Sequence, residues 1–255
     1  ASKQLLKRYR PDLLAYKTTN QVGATGDGII LAEHIGAQVL QMEMIQIHPT
    51  VQQDTPHTYL IGEAVRGEGA ILVDQQGVRF TNELGTRKIV SEQITALPEQ
   101  AAYLIFDYGV KERVKAIDFY ASKGLVVSAA TPSELAKKLQ LDPTVLADTL
   151  LQWNTAVETK KDVKFGRTTG MLRKLEKAPY YAIHVAPAIH YTMGGLHINE
   201  KAQVLDQAGN IIAGLFAAGE VTGGLHGNNR IGGNSIAETV VFGRQAGQQA
   251  AVYLA

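Results

Sequence analysis

The stretch His226-Gly227-Asn228-Asn229-Arg230-Ile231-Gly232-Gly233-Asn234-Ser235-Ile236 decides how this chain reads. An apolar run before it, Ile211 to Ala218, predicts a buried strand closing on Gly219-Glu220. The residues after it, Ser235 to Ala251, predict a helix. Six glycines between Gly219 and Gly233 surround a single arginine, Arg230. Glycine lets a backbone come close to a ligand and take positive φ. A helix N-terminus after such a loop offers free N–H groups to an anion, and an arginine adds a planar fork of donors for a carboxylate or phosphate. The alternative is a plain glycine-rich connection with a surface arginine. Strand, glycine loop and helix in this order are a common ligand site in α/β folds.

The 255 residues suffice for one large domain or two modest ones. With 45% apolar and 19% charged residues the composition is that of a globular chain with a core. A net charge of +1 points to neither nucleic acid nor an anionic membrane surface. The absence of cysteine excludes disulfides, thiolate metal sites and cysteine nucleophiles, and no metal ligand set is expected. No apolar run is long enough for a transmembrane helix, and the start, ASKQLLKRYRPDLL, lacks the apolar segment of a signal peptide. It begins without methionine and inside a helical pattern, as though a segment preceded it.

A second glycine loop, Gly23 to Gly28, leads into a helix expected over Ile29 to Gly36, with Asp27 either capping it or meeting a ligand. Val39 to Ile47 predicts a strand ending at His48-Pro49, where a histidine is more often a satisfied polar residue than a ligand. Glu63 and Arg66 stand three apart and become neighbours on one helical turn. Asp74-Gln75-Gln76-Gly77 between apolar runs is a hairpin signal. Arg87 precedes a helix expected over Lys88 to Leu97. These charges form a solvated ion-pair face unless they converge on one cleft. Further on, Tyr103–Asp107 predicts a strand, Glu112–Lys123 a helix, Leu125–Val127 a strand, and Pro132–Leu139 and Pro143–Thr159 two helices. The apolar stripe of the last two is read as core. Pro179–Val185 predicts a strand, and Val204 to Asn210 a hairpin turn.

The ordered motifs ATGDG, QIHPT, EAVRGEGAILV, GVRFTNE, PAIHYTMGGL and AAGEVTGGLHGNNRIGGNSI resemble the flavoprotein subunit of the fumarate reductase/succinate dehydrogenase superfamily. YLIFD, KAIDFYASKGLVV, FGRTTGM and KAPYYAIHVAPA bring the likeness nearest to soluble flavocytochrome c-type fumarate reductases. The resemblance covers essentially the whole chain. It implies an α/β and α+β architecture: an FAD-binding domain, residues 1–47 and 183–255, interrupted by a mixed α/β capping domain, residues 48–182. The family's N-terminal GxGxxG unit is not among these residues, so the chain is expected to be the C-terminal part of a flavoprotein.

The resemblance implies FAD as cofactor, a small dicarboxylate or related 2-enoate as substrate, and an electron-donor module carrying haem, FMN or an NADH-linked site. Arg87 matches the proton donor, with Glu63 and Arg66 behind it as a relay. His190 and Arg230 match the holders of one substrate carboxylate and His48 the holder of the other, with Gly62 and Gly233 also at the substrate. Asp27, Tyr191, Glu220, Ser235 and Ile236 match cofactor contacts. One departure stands out: a threonine commonly precedes the glutamate of EAVRG in relatives acting on fumarate, and here that position is Gly62. Strict fumarate specificity is thereby put in doubt. Two other readings remain: a related flavin dehydrogenase or oxidase of the aspartate oxidase type, and a non-catalytic α/β module holding a nucleotide or anion.

Overall fold

A computed structural model describes residues 1–255. In chain order the elements are α1 (Lys3–Tyr9), α2 (Asp27–His34), β1 (Val39–Leu40), β2 (Ile45–Gln52), β3 (Tyr59–Leu60), α3 (Glu63–Gly67), β4 (Ile71–Val73), α4 (Arg87–Thr95) and β5 (Ala102–Asp107). Next come α5 (Tyr108–Arg113), α6 (Ala116–Ser122), β6 (Val127–Ala129), α7 (Pro132–Leu139), α8 (Pro143–Thr159), β7 (Tyr180–Thr192), β8 (Gly195–Leu196), β9 (Gln203–Leu205), β10 (Ile211–Phe216) and α9 (Asn234–Leu254).

The chain divides into two compact units, one of residues 1–47 and 189–255 and the other of residues 48–188. The second join falls at Ala188 rather than at residue 182, because β7 runs unbroken from Tyr180 to Thr192 and the division lies inside that strand. The unit of residues 48–188 is built on a sheet in the order β3-β2-β7-β5-β4, with β6 also on β7. β5 and β7 pair antiparallel from Ala102↔Val185 to Asp107↔Tyr180. The middle of this sheet is apolar on both faces: Leu104, Ile105, Phe106, Ala182 and Ile183 have no exposure. Such strands need a cover on each side. Helix α8 supplies part of it with Leu146, Leu150, Trp153 and Val157, a stripe at helical spacing that lies in the core as its periodicity predicts. Asp142 caps α8 by accepting the Thr144 N–H at 2.8 Å, and Pro143 occupies its first turn.

The unit of residues 1–47 and 189–255 has smaller cores. One gathers Ala32, Ala37, Leu196, Val204 and Ala217, and another Leu6, Leu13 and Ile189. Its sheets are two-stranded, β1 with β8 and β9 with β10. Gly194 and Gly195 are glycine for packing: an added Cβ would sit 2.1 Å from the Gln41 carbonyl oxygen in one case and 2.3 Å from that of Val221 in the other.

Several expectations need correction. Ile211–Phe216 is a strand, but its residues are half-buried or exposed, because β10 pairs only with β9. The strand expected over Val39–Ile47 is broken at Gln41, whose φ is 55°, and its second part continues past His48-Pro49 to Gln52. The helix expected over Glu112–Lys123 is two helices, α5 and α6.

Asp107 ties the end of β5 to α5 and to the chain just before β7. It is 2% exposed and accepts the N–H groups of Val110 at 3.0 Å, Glu176 at 3.1 Å and Lys177 at 2.9 Å. Asp107→Ala leaves those donors without their acceptor and is expected to cost about 2–3 kcal/mol in urea unfolding of the protein, whereas a surface change such as Glu99→Ala costs almost nothing.

Candidate functional site

In the unit of residues 48–188 three charges noticed in the sequence come together. Gly62 is the N-cap of α3, with φ −60° and ψ 150°, so Glu63 opens that helix and Arg66 lies one turn on. Thr86 caps α4 by accepting the Ile89 N–H and thereby starts that helix at Arg87. The Arg87 guanidinium grips Glu63 in a fork, Nε to Oε1 at 2.9 Å and Nη2 to Oε2 at 3.2 Å. Bidentate charge-assisted pairs of this kind are the strong ones. Arg66 approaches the same Oε1, with Nη2 at 3.7 Å, and its Nη1 donates to the Glu83 carbonyl at 2.5 Å. Arg66, Glu63 and Arg87 thus stand in a row of alternating charge, in which Arg87 is hydrogen-bonded to Glu63 and Arg66 is an ion-pair neighbour without a hydrogen bond to it. Burial pulls the Arg66 guanidinium down to about 10, with neighbouring arginines adding to the effect and Glu63 opposing it.

His48 is fully buried within β2, and its Nδ1 accepts the Thr50 N–H at 3.3 Å, which leaves the ring proton on Nε2. Gly62 has a neighbour that the sequence did not single out: its N–H donates to the Tyr120 hydroxyl at 3.1 Å. A Cβ at Gly62 would meet only that hydroxyl, at 3.6 Å, an ordinary contact. Neither φ nor space therefore requires glycine here.

The unit of residues 1–47 and 189–255 carries a second cluster. His190 ends β7, held through Nδ1 to the Thr19 hydroxyl at 2.8 Å and through its carbonyl to Asn20 at 3.0 Å. Arg230 is 3% exposed and lies with its guanidinium 4.1 Å from the centre of the Tyr191 ring. Gln46 fixes the loop by donating to the Arg230 carbonyl at 2.7 Å. The Tyr191 hydroxyl donates to Glu238, whose other oxygen meets His226 Nε2 at 2.5 Å. Burial together with that carboxylate pushes the Tyr191 phenol well above its usual range. Glu238 and His226 were missed in the sequence. The only available signal was Glu238 following one turn after Ser235, and a glutamate on a helix is ordinarily solvated.

Gly233, with φ 88°, caps α9 without a side chain, and an added Cβ there would meet nothing within 4 Å. Ser235 and Ile236 lie in the first turn, and Ile236 is 70% exposed. Asp27 is not the cap of α2. Gly26 takes that place with φ 83°, and Asp27 is the exposed first residue, where its charge suits the helix dipole. Glu220 Oε1 accepts the Thr192 N–H at 2.9 Å and the Thr192 hydroxyl at 3.4 Å. Together with Asn20, Gly26, Gly28 and Thr192, it lines a cavity of about 260 Å³.

A cavity with Gly26, Gly28 and the Glu220 carboxylate in its lining is compatible with a small-molecule or cofactor ligand. The family model for the FAD binding domain matches residues 1–236, and the chain belongs to that family, whose cofactor is FAD. The chain is 51% identical over 251 residues to the NADH:fumarate oxidoreductase of Klebsiella pneumoniae (strain 342), covering 98% of this chain and 27% of that protein. It is 44% identical over 250 residues to a probable fumarate reductase of Shewanella frigidimarina (strain NCIMB 400), covering 98% of this chain and 42% of that one. Among solved structures, a flavocytochrome c3 fumarate reductase in an open conformation matches with a TM-score of 0.78 and 44% identity, over 99% of this chain and 44% of that chain. The chain therefore spans less than half the length of these relatives. No helix is long and apolar enough to cross a membrane.

Burial raises the Glu220 carboxyl above its ordinary value of 4.5, with the Thr192 hydrogen bonds and Arg230 opposing. A carboxyl that holds its proton more tightly when folded contributes stability that is complete below the unfolded value near 4.5 and fades as pH rises through the folded value. In the FAD-free protein, Glu220→Gln is expected to gain melting temperature relative to wild type as pH rises from about 4 to 7. Thermal scans across that range check it.

Proposed function

We propose that the protein carrying this chain reduces the C=C bond of a 2-enoate, with fumarate, giving succinate, as the first candidate. The observation that carries the reading is the Arg66–Glu63–Arg87 row, with Arg87 held bidentate on Glu63. Recognition of an anion calls for donors, and a carboxylate that occupies the donor would weaken it. Delivery of a proton calls for a donor with a carboxylate behind it. The names of the relatives, fumarate oxidoreductase and fumarate reductase, support the same reading.

The residues of the 1–47 and 189–255 unit fit part of FAD. Glu220 has Oε2 left to accept from a cofactor hydroxyl, Gly233 has open space beside it, and Ile236 offers exposed apolar surface for a flat ring. Asp27, Tyr191 and Ser235 complete the proposed cofactor contacts. When bound, reduced FAD supplies the hydride to one alkene carbon. The chain's own residues do the rest. His190 and Arg230, with the Gly233 backbone, take one carboxylate, and His48, beside Gly62, takes the other. Holding both ends aligns the double bond and draws electron density toward a carboxylate as the carbanion forms. Arg87 gives its proton to the second alkene carbon. Its charge before transfer stabilises the developing carbanion, and Glu63 passes back to it a proton first taken up from Arg66, which is refilled in turn from solvent. The hydride and the proton add across the bond, and succinate leaves with two hydrogens more than fumarate. Residues 1–47 and 189–255 then serve as FAD-binding domain and residues 48–188 as capping domain, with electrons supplied by a haem, FMN or NADH-linked module.

The test is reoxidation of the full-length, dye-reduced flavoprotein by fumarate and by a panel of other 2-enoates. Arg87→Ala is expected to lower kcat by about 10²–10⁴-fold with FAD retained. Absence of reoxidation by any 2-enoate in an FAD-loaded protein would falsify the reading.

Gly62 sets a separate expectation. A threonine there has room, caps α3 through its oxygen and keeps a hydroxyl proton for a substrate carboxylate. Gly62→Thr should leave stability within about 0.5 kcal/mol and lower the fumarate KM by about tenfold, while slowing 2-enoates larger at that end. An unchanged KM for all substrates places Gly62 away from the substrate.

A further inference from the structure

Proton delivery uses Arg87, Glu63 and Arg66, but Arg66 leads on into a buried charge cluster that proton delivery does not itself employ. Glu83 has no exposure at all. Its carboxylate accepts Arg79 Nε at 2.6 Å, Arg79 Nη2 at 2.9 Å, Arg167 Nη1 at 2.9 Å and the Leu72 N–H at 3.2 Å. Its backbone carbonyl is the acceptor for Arg66 Nη1. Arg167, 1% exposed, turns Nη2 to the Arg66 carbonyl at 2.6 Å and Nη1 to the Ala70 carbonyl at 3.0 Å. Glu83 and Arg167 therefore hold Arg66 from both directions, one through its guanidinium and the other through its backbone at the end of α3. Asp162 closes the far side by accepting Arg79 Nη2 at 2.7 Å.

Burying this many charges exceeds what holding a short helix requires. A buried ion pair gives little stability over well-packed apolar residues, and removing one partner is costly. Four arginines, at 66, 79, 87 and 167, face three acids, at 63, 83 and 162, and Arg66 is the one whose ion-pair contact is longest, 3.7 Å to Glu63. We propose that Glu83 and Arg167 are positioning residues for proton delivery: acting through Arg66, they fix where its guanidinium stands and how firmly it holds its proton beside Glu63. This rests on the proton-delivery reading of Arg87, Glu63 and Arg66.

The charged groups facing Arg66 within its unit are Glu63, Arg87, Glu83 and Arg167, and the two acids favour its charged form while the two arginines oppose it. Loss of Arg167 charge must therefore raise the proton affinity of Arg66, and loss of Glu83 charge must lower it. A purely structural role leaves kcat and the alkaline limb at their wild-type values, so turnover and titration must move together.

The experiment uses the full-length FAD-loaded protein and the variants Arg167→Gln, Arg167→Lys and Glu83→Gln, with kcat and KM for fumarate followed to the alkaline limb of the pH profile. A second readout, the arginine ¹³Cζ titration with the Arg66 signal assigned by Arg66→Lys, needs no turnover. The expected results are a limb and titration moved up by about half a pH unit or more in Arg167→Gln and down in Glu83→Gln. Arg167→Lys keeps the charge and loses the planar fork, so its kcat falls about tenfold with KM and limb unmoved. If Glu83→Gln does not fold, the contrast between the two Arg167 variants decides. Folded variants that lose only thermal stability, with kcat, limb and titration at wild-type values, overturn the proposal. A wild type that turns over no 2-enoate sinks the proton-delivery reading and this proposal with it, whereas turnover that is lost in Arg87→Ala but unchanged in Arg167→Gln and Glu83→Gln overturns this proposal alone.

Discussion

Glu83 is a carboxylate without water, and the unit of residues 48–188 is arranged so that it can be one. An isolated buried carboxylate would neutralise itself by taking a proton. Here two guanidinium forks and a backbone N–H meet it, and each partner is itself supported. Arg79 reaches Asp162, Arg167 reaches three further carbonyls besides that of Arg66, and both arginines lie on the Trp153 ring at 4.7 and 4.6 Å. The indole belongs to α8, and the carbonyls of Ala70 and Gly170 belong to segments far apart in sequence. One satisfied charge therefore ties α3, the start of β4, α8 and the 162–170 segment together. A buried polar group left without its partner is costly, so each member of the set depends on the others.

The sequence showed which groups were present better than where they went. Glu63 and Arg66 were readable as neighbours because helical spacing is local. Their union with Arg87 was legible only through the family resemblance, because the convergence depends on where the fold places α3 and α4. Glu83, Asp162 and Arg167 stand in polar segments that carry no period, so nothing local marks them as buried. GVRFTNE and FGRTTGM stood out only as matching motifs, and the structure supplies the reason their charges occur together: Arg79 and Glu83 from the first meet Arg167 from the second.

Apolar runs misled in a complementary way. Ile211–Phe216 has the composition of a core strand and lies half-open on a two-stranded sheet. Helix α9 shows the same thing at greater length. Its Ile236, Val240, Val241, Val252 and Leu254 are all at least 60% exposed, and its one buried residue is a glutamate, Glu238. Hydrophobicity states a preference for burial, and the structure states whether a partner meets it. Glu238 is buried because Tyr191 and His226 each give it a hydrogen bond, which no hydropathy pattern reports.

The two clusters differ in their electrostatic logic, and that difference fits the chemistry proposed for them. Arg230 lies on the aromatic face of Tyr191, and the carboxylate at that ring's hydroxyl, Glu238, is engaged by Tyr191 and His226. That setting is the one proposed above for holding a carboxylate. Arg87 differs in being held bidentate by Glu63, so further anion binding there gains less. Binding and proton transfer ask opposite things of the same side chain. The two arginines, each in its own unit, thus stand in different electrostatic settings, and the roles proposed for them follow that difference.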